Sequence, residues 1–169
     1  MSYLKCEAAV LFLASFACIS PVVAQDLRTL LSRFQSEHDR AAKEAILRNI
    51  TTGYPDAGLA LLRIARETAD ADTRWLAIRG IGSLKFRDAK PFLQQSLSSR
   101  SNHVRANSAR ALGEIHDISA VPDLIHTIEK EEDNGVIEQT ALALQMLGAK
   151  EALPTLKGKA ENPSPQTRL

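Results

Sequence analysis

The chain has 169 residues, 44% of them hydrophobic, and a formal net charge of +1. That is enough length and apolar content to bury a core, and it lacks the basic excess of a nucleic-acid binder. Aromatic residues make up only 5%, which argues against stacking platforms for single strands.

Lys5 precedes an apolar run, Ala8–Ile19; Ser20-Pro21 then breaks it, and Val22-Val23-Ala24 places small residues before Gln25. This pattern predicts a secretory signal peptide over 1–24, cleaved after Ala24. The run is short of the ~20 residues a spanning helix needs. The alternatives are retention as an anchor and a lipoprotein at Cys18, which Ser15-Phe16-Ala17 fits poorly. Both cysteines, Cys6 and Cys18, lie in the segment removed, so the mature chain has neither disulfide nor thiolate. The expected location is the periplasm or exterior of a bacterial cell, with no membrane span after cleavage.

Leu27, Leu30, Leu31 and Phe34 follow at helical spacing and predict an N-terminal capping helix over 25–36. From 37 to 161 a block of about 31 residues recurs, with units at about 37–68, 72–99, 102–131 and 135–161. The clearest copies are Thr73–Leu93 and Val104–Leu124, in which Gly82 and Gly113 are each followed nine residues later by a proline, Pro91 and Pro122. Each unit reads as two helices. In the third, Val104, Ser108, Ala109, Leu112 and Ile115 form the first apolar stripe, and Leu124, Ile125 and Ile128 the second. Gly113 suits either the end of the first helix or its close packing. Pro122 suits the first turn of the second. In the fourth unit Gly148 and Pro154 are six apart, read as a turn shortened by three residues. Residues 162–169 are either a polar tail or the start of an unfinished fifth unit, since Thr167-Arg168-Leu169 echoes Thr73-Arg74-Trp75-Leu76. The fold class expected is all-α: a solenoid of about four helical hairpins behind a cap.

From Val104 to Ile128 the pattern VRxxSAxALGxIxDxxAVPxLIxxI resembles the HEAT repeat, specifically the short bacterial type first noted in phycobilisome bilin lyases. The resemblance covers about Ala42 to Ala160. It implies antiparallel helix pairs with second helices lining the concave face, and a scaffold that holds another protein. A minority of the family are enzymes. It also implies that Arg74, Arg105 and Arg168 form a ladder with loop acids, for which Asp88 or Asp117 are candidates.

No catalytic constellation accompanies the repeat. His38, His103, His116 and His126 are scattered and form no His-Glu dipeptide, so neither metal nor cofactor is expected. Glu129–Asp133 reads as a solvated acidic run. On the second helices, register turns outward Asp123, His126, Thr127 and Lys130, with Phe92 and Gln95 before them, Arg63 earlier and Lys159 later. Phe92 reads equally as core, and Trp75 as packing between repeats. The function expected is an exported, non-enzymatic scaffold binding an unidentified envelope protein, with no nucleic-acid partner. The alternatives are a lyase- or hydrolase-type enzyme using Asp123 and His126, or a fragment of a longer array. Leu142, Leu153 and Leu156 would leave a C-terminal edge that invites self-association.

Overall fold

The computed structural model describes residues 21–161, with side chains from Asp26 onward. The expected signal segment lies outside these residues except for 21–24, and the expected tail 162–169 lies wholly outside. Among the described residues the chain is all-α. Helix α1 spans Pro21–Ser36, and four hairpins follow: α2 (Arg40–Gly53) with α3 (Gly58–Glu67), α4 (Ala71–Ser83) with α5 (Lys90–Ser96), α6 (Asn102–Ile115) with α7 (Val121–Lys130), and α8 (Asn134–Met146) with α9 (Leu153–Glu161). A single 3-10 turn joins the helices of each hairpin. Helix α1 packs on α2 and buries Phe34. Its first turn lies upstream of the expected cleavage point.

Each first helix starts at a capping side chain. Asp39, Asp70, Ser101 and Asp133 accept hydrogen bonds from backbone N–H groups of the first turn. Such a cap satisfies donors that have no partner within the helix. The caps recur every 31 or 32 residues and define a common frame. Within it Pro91, Pro122 and Pro154 occupy one position, so the fourth turn is full length, and the shortening read from Gly148 is a register error. Gly148 matches Lys85 and His116, not Gly113, and all three are left-handed, with φ of 66°, 51° and 58°. Helices α4, α6 and α8 therefore end on this left-handed position, whether or not glycine fills it, whereas its counterpart after α2, Tyr54, has a φ of −136°.

Gly82 and Gly113 work by close packing instead. A Cβ at Gly82 would fall 2.9 Å from the Cα of Ala111, and one at Gly113 would fall 2.7 Å from the Cα of Ala143. Helices α4, α6 and α8 thus pack backbone to backbone in one layer, whereas α3, α5 and α7 scarcely meet one another. Long side chains bridge that second layer: Arg66 covers the Phe92 ring at 5.7 Å, Gln94 donates to Asp123 at 2.5 Å, and Lys90 reaches Asp117 at 3.0 Å. A two-layer array bends toward its closer-spaced layer. The first helices therefore line the inner side, the reverse of the arrangement implied by resemblance.

The core runs between the layers. Leu61, Leu76, Ile81, Leu93, Leu112, Leu124, Ile128 and Leu144 are fully buried in it. Among the described residues, nothing covers the C-terminal end of the core. Leu142, Leu144, Leu153 and Leu156 line an apolar depression of about 520 Å³, and Leu142, Met146 and Leu153 are exposed.

Candidate partner-binding surface

The inner side carries a groove of about 310 Å³ that draws side chains from all four first helices, including Arg40, Trp75, Arg79, Asn107, Arg110 and Gln139. Its floor is Trp75, 3% exposed, whose indole Nε1 donates to Asp72 at 2.9 Å. The guanidinium of Arg40 lies 4.8 Å from the Trp75 ring centre and that of Arg79 lies 5.6 Å away. His103 adds a tilted ring at 5.9 Å. Trp75 thus packs between repeats, and it also holds two arginines in place by cation–π attraction.

The groove's carboxylates are shared. Glu44 meets Arg40 at 3.5 Å and Arg79 at 3.6 Å, and Glu114 pairs with Arg110 at 2.8 Å. Asp72 is taken by Trp75, and Asp133 accepts from Asn102 at 2.8 Å. The Asn102 amide, the largest influence, holds the Asp133 carboxyl below its ordinary range. Gln139 presents a shielded Oε1 that has no hydrogen-bond partner among the described residues.

Polar pairs at the helix starts keep this layer in register. Lys43, 4% exposed, donates to Asp70 at 2.7 Å and to Thr73 at 2.6 Å. The Lys43 hydrogen bond, and after it that of Thr73, hold the Asp70 carboxyl far below the usual aspartate range. Arg105 makes a bidentate pair with Glu131, at 2.7 and 3.0 Å, and also donates to the Ser99 carbonyl. Burial, the largest single influence, pushes the Glu131 carboxyl up, but the Arg105 hydrogen bonds and charge together with the backbone N–H groups of Asp133 and Glu132 outweigh it, and the net shift is downward. Glu131 is therefore a structural partner and not part of a solvated run. The expected arginine ladder is corrected likewise. Arg74 donates to the carbonyls of Ala65 and Thr68, and Asp117 serves Lys90. Arg168 lies outside the described residues.

The residues singled out from the sequence occupy the outer layer. His126, Thr127 and Lys130 share a depression of about 350 Å³ with Leu97 and Arg105. Asp123 is one turn away and is held by Gln94. His126 Nδ1 turns instead toward Glu129, at 3.8 Å, so Asp123 and His126 point to different partners. Arg63 lines a separate depression with Leu59 and Arg66. Phe92 is half-buried beneath Arg66, which combines both sequence readings of it. Gln95 is exposed on α5, and Lys159 is half-buried on α9. The structure brings four of the eight together on α7 and leaves Arg63, Phe92, Gln95 and Lys159 apart.

The inner-face arginines are not among those eight, although a signal for them exists. Arg48, Arg79 and Arg110 recur at intervals of 31 residues, nine after each cap.

Comparison with known proteins agrees with this architecture. A family model for HEAT repeats matches residues 58–145, just over half of the chain. The phycocyanobilin lyase subunit alpha of Picosynechococcus sp. is 30% identical over 101 residues, which cover 54% of this chain and 37% of that protein. The chain therefore spans little more than a third of the length of that curated relative.

Proposed function

The chain belongs to the HEAT-repeat family, and from that premise we propose that it is an exported, non-enzymatic scaffold whose inner face holds a protein partner. The observation that carries this reading is the groove built jointly by α2, α4, α6 and α8. Stacked repeats use extended concave surfaces of this kind for binding. Arginine and tryptophan, which shape this groove, are enriched among the residues that dominate interface energetics. Export rests on Lys5, the apolar run that follows it and the small residues Val22-Val23-Ala24.

Photo-crosslinking tests the reading. A crosslinking residue at Asn107, on the inner face, should capture a reproducible envelope protein, and one at Gln95, on the outer face, should not. Capture from Gln95 alone would move the site to the outer layer. An intact N-terminus in the cytoplasmic fraction, instead of one starting at Gln25, would remove the exported compartment.

The name of the Picosynechococcus protein favours a second reading, a lyase subunit that handles phycocyanobilin. Titration with phycocyanobilin separates the two. A saturable change in pigment absorbance, abolished by Arg79→Gln, would support the lyase reading; an unchanged spectrum supports the scaffold.

A further inference from the structure

Helix α8 departs from the repeat frame at two positions that border the apolar depression at the C-terminal end. Nine residues after its cap, Leu142 stands where the earlier first helices have Arg48, Arg79 and Arg110. Twelve residues after the cap, Gln145 stands where α4 and α6 have Gly82 and Gly113. Those glycines are what let the next first helix approach backbone to backbone. A glutamine there obstructs that approach, so the depression is not shaped to receive a further repeat in the same way. It is apolar all the same. Of the five large hydrophobic residues exposed among the described residues, three lie at this end: Leu142, Met146 and Leu153. Clustered apolar exposure of this kind marks a protein-contact surface.

Three features select the occupant. Residues 162–169 offer one leucine, Leu169, among prolines and polar residues, too little to cover the depression. The opposite end of the array offers no apolar counterpart. Leu27, Leu30, Leu31 and Phe34 of α1 turn onto the core, and the side chains that α1 exposes from Asp26 onward are polar, Arg28, Ser32, Arg33 and Gln35 among them. Head-to-tail stacking would therefore set leucines against charge. The depression itself is self-complementary. Glu138, in the second turn of α8, and Lys150, in the turn beyond the helix, both line it, and neither has an ion pair among the described residues. From Glu138 to the end of α8 at Met146 is about 12 Å at 1.5 Å per residue, so the two charges stand at opposite ends. We propose that this edge binds the same edge of a second copy of the chain across a two-fold axis. Helix α8 then runs antiparallel to its twin, and Glu138 of each copy meets Lys150 of the other. Leu142, Leu153 and Leu156 cover one another between them. Gln145, beside the axis, exchanges amide hydrogen bonds with its counterpart, since its side chain both donates and accepts. Such a contact closes at two copies. It uses none of the residues that line the inner groove, so it stands whatever that groove holds.

Sedimentation equilibrium of the full chain over about 1–200 μM tests this, and a monomer–dimer equilibrium is expected in that range. Leu153→Glu, at a side chain 61% exposed, should weaken the dimer about a hundredfold, because both copies lose a buried leucine. Far-ultraviolet circular dichroism would verify that this variant keeps the fold. Glu138→Lys and Lys150→Glu should each weaken the dimer about tenfold, because each sets like charges together at two contacts. An equal mixture of those two variants should recover the parental affinity. In the mixed dimer one charge pair is as it was and the other has its signs exchanged, a rescue that pairing within one chain would not give. A monomer at every concentration overturns the proposal, and its conversion to a dimer on removal of residues 162–169 would assign the edge to the chain's own tail. Mass rising beyond two copies overturns it in favour of head-to-tail stacking. A dimer indifferent to Leu153→Glu, or a mixture no tighter than its separate variants, rejects the two-fold contact.

Discussion

Replacing Gly113 with alanine sets two effects of opposite sign against each other. Alanine favours a helix interior over glycine by about 1 kcal/mol. The new Cβ, however, would fall 2.7 Å from the Cα and 2.9 Å from the Cβ of Ala143. The obstruction is backbone, so no rotamer change relieves it, and α6 must move away from α8. Overpacking of this kind costs about 1–3 kcal/mol, and the shift also opens contacts along both helices, which places Gly113→Ala near the upper end. The expected net loss is about 2 kcal/mol, or a fall in Tm of about 4–8 °C at this chain length. At Gly158, in α9, an added Cβ would meet no atom within 4 Å, so Gly158→Ala should gain about 0.5–1 kcal/mol. Urea unfolding followed by circular dichroism and by the fluorescence of Trp75, the chain's single tryptophan, measures both. A Gly113→Ala protein as stable as the parent would refute the packing argument.

Further outcomes follow from the same geometry. Asp70→Ala removes a helix cap and leaves the buried Lys43 ammonium without its carboxylate; the loss should be about 2 kcal/mol, discounted because Asp70 is half exposed, and the urea midpoint measures it. His116→Gly, at a left-handed position, should stabilise by about 0.5–1 kcal/mol, again read from the urea midpoint. Asp117 is held down to about 2 by Ser119 first and Lys90 second. Its folded pKa is below the unfolded value, so its stabilisation is complete above the ordinary aspartate pKa of about 3.9. That contribution is lost as pH falls toward 2. An acid titration by circular dichroism should be flatter in this window for Asp117→Asn. Arg105→Ala and Glu131→Ala should couple by about 1–2 kcal/mol in a double-mutant cycle of unfolding free energies, and additivity would show that the bidentate pair is inert.

Much of the fold is legible in the chain because a repeat places the same physical demand at the same interval. The pairing of Gly82 with Pro91 and of Gly113 with Pro122 marks the hairpins, and Leu112, Leu124 and Ile128 mark the core. Gly148 misleads because glycine serves two purposes here, close packing at one frame position and left-handed termination three residues later. The inner side is not legible, since curvature depends on how far apart the helices stand in each layer. That distance is set by contacts such as Gly113 with Ala143, between residues thirty apart. The candidate surface changes with it: Asp123 and His126 stand on the outer layer, while the 31-residue recurrence of Arg48, Arg79 and Arg110 is masked by the structural Arg74 and Arg105, which recur at the same interval.

The capping residues have a second role with a consequence for how the array comes apart. Asp70 starts α4 while gripping Lys43 of α2, and Asp133 starts α8 while holding Asn102 of α6. The side chain that begins one helix is thus the one that fastens the helix before it. Opening either junction exposes helix-start amides on one side and strands a polar side chain on the other, so fraying at the ends meets a double penalty at each of these boundaries. The repeats on either side should therefore lose amide protection against hydrogen exchange together, as coupled pairs and not one helix at a time.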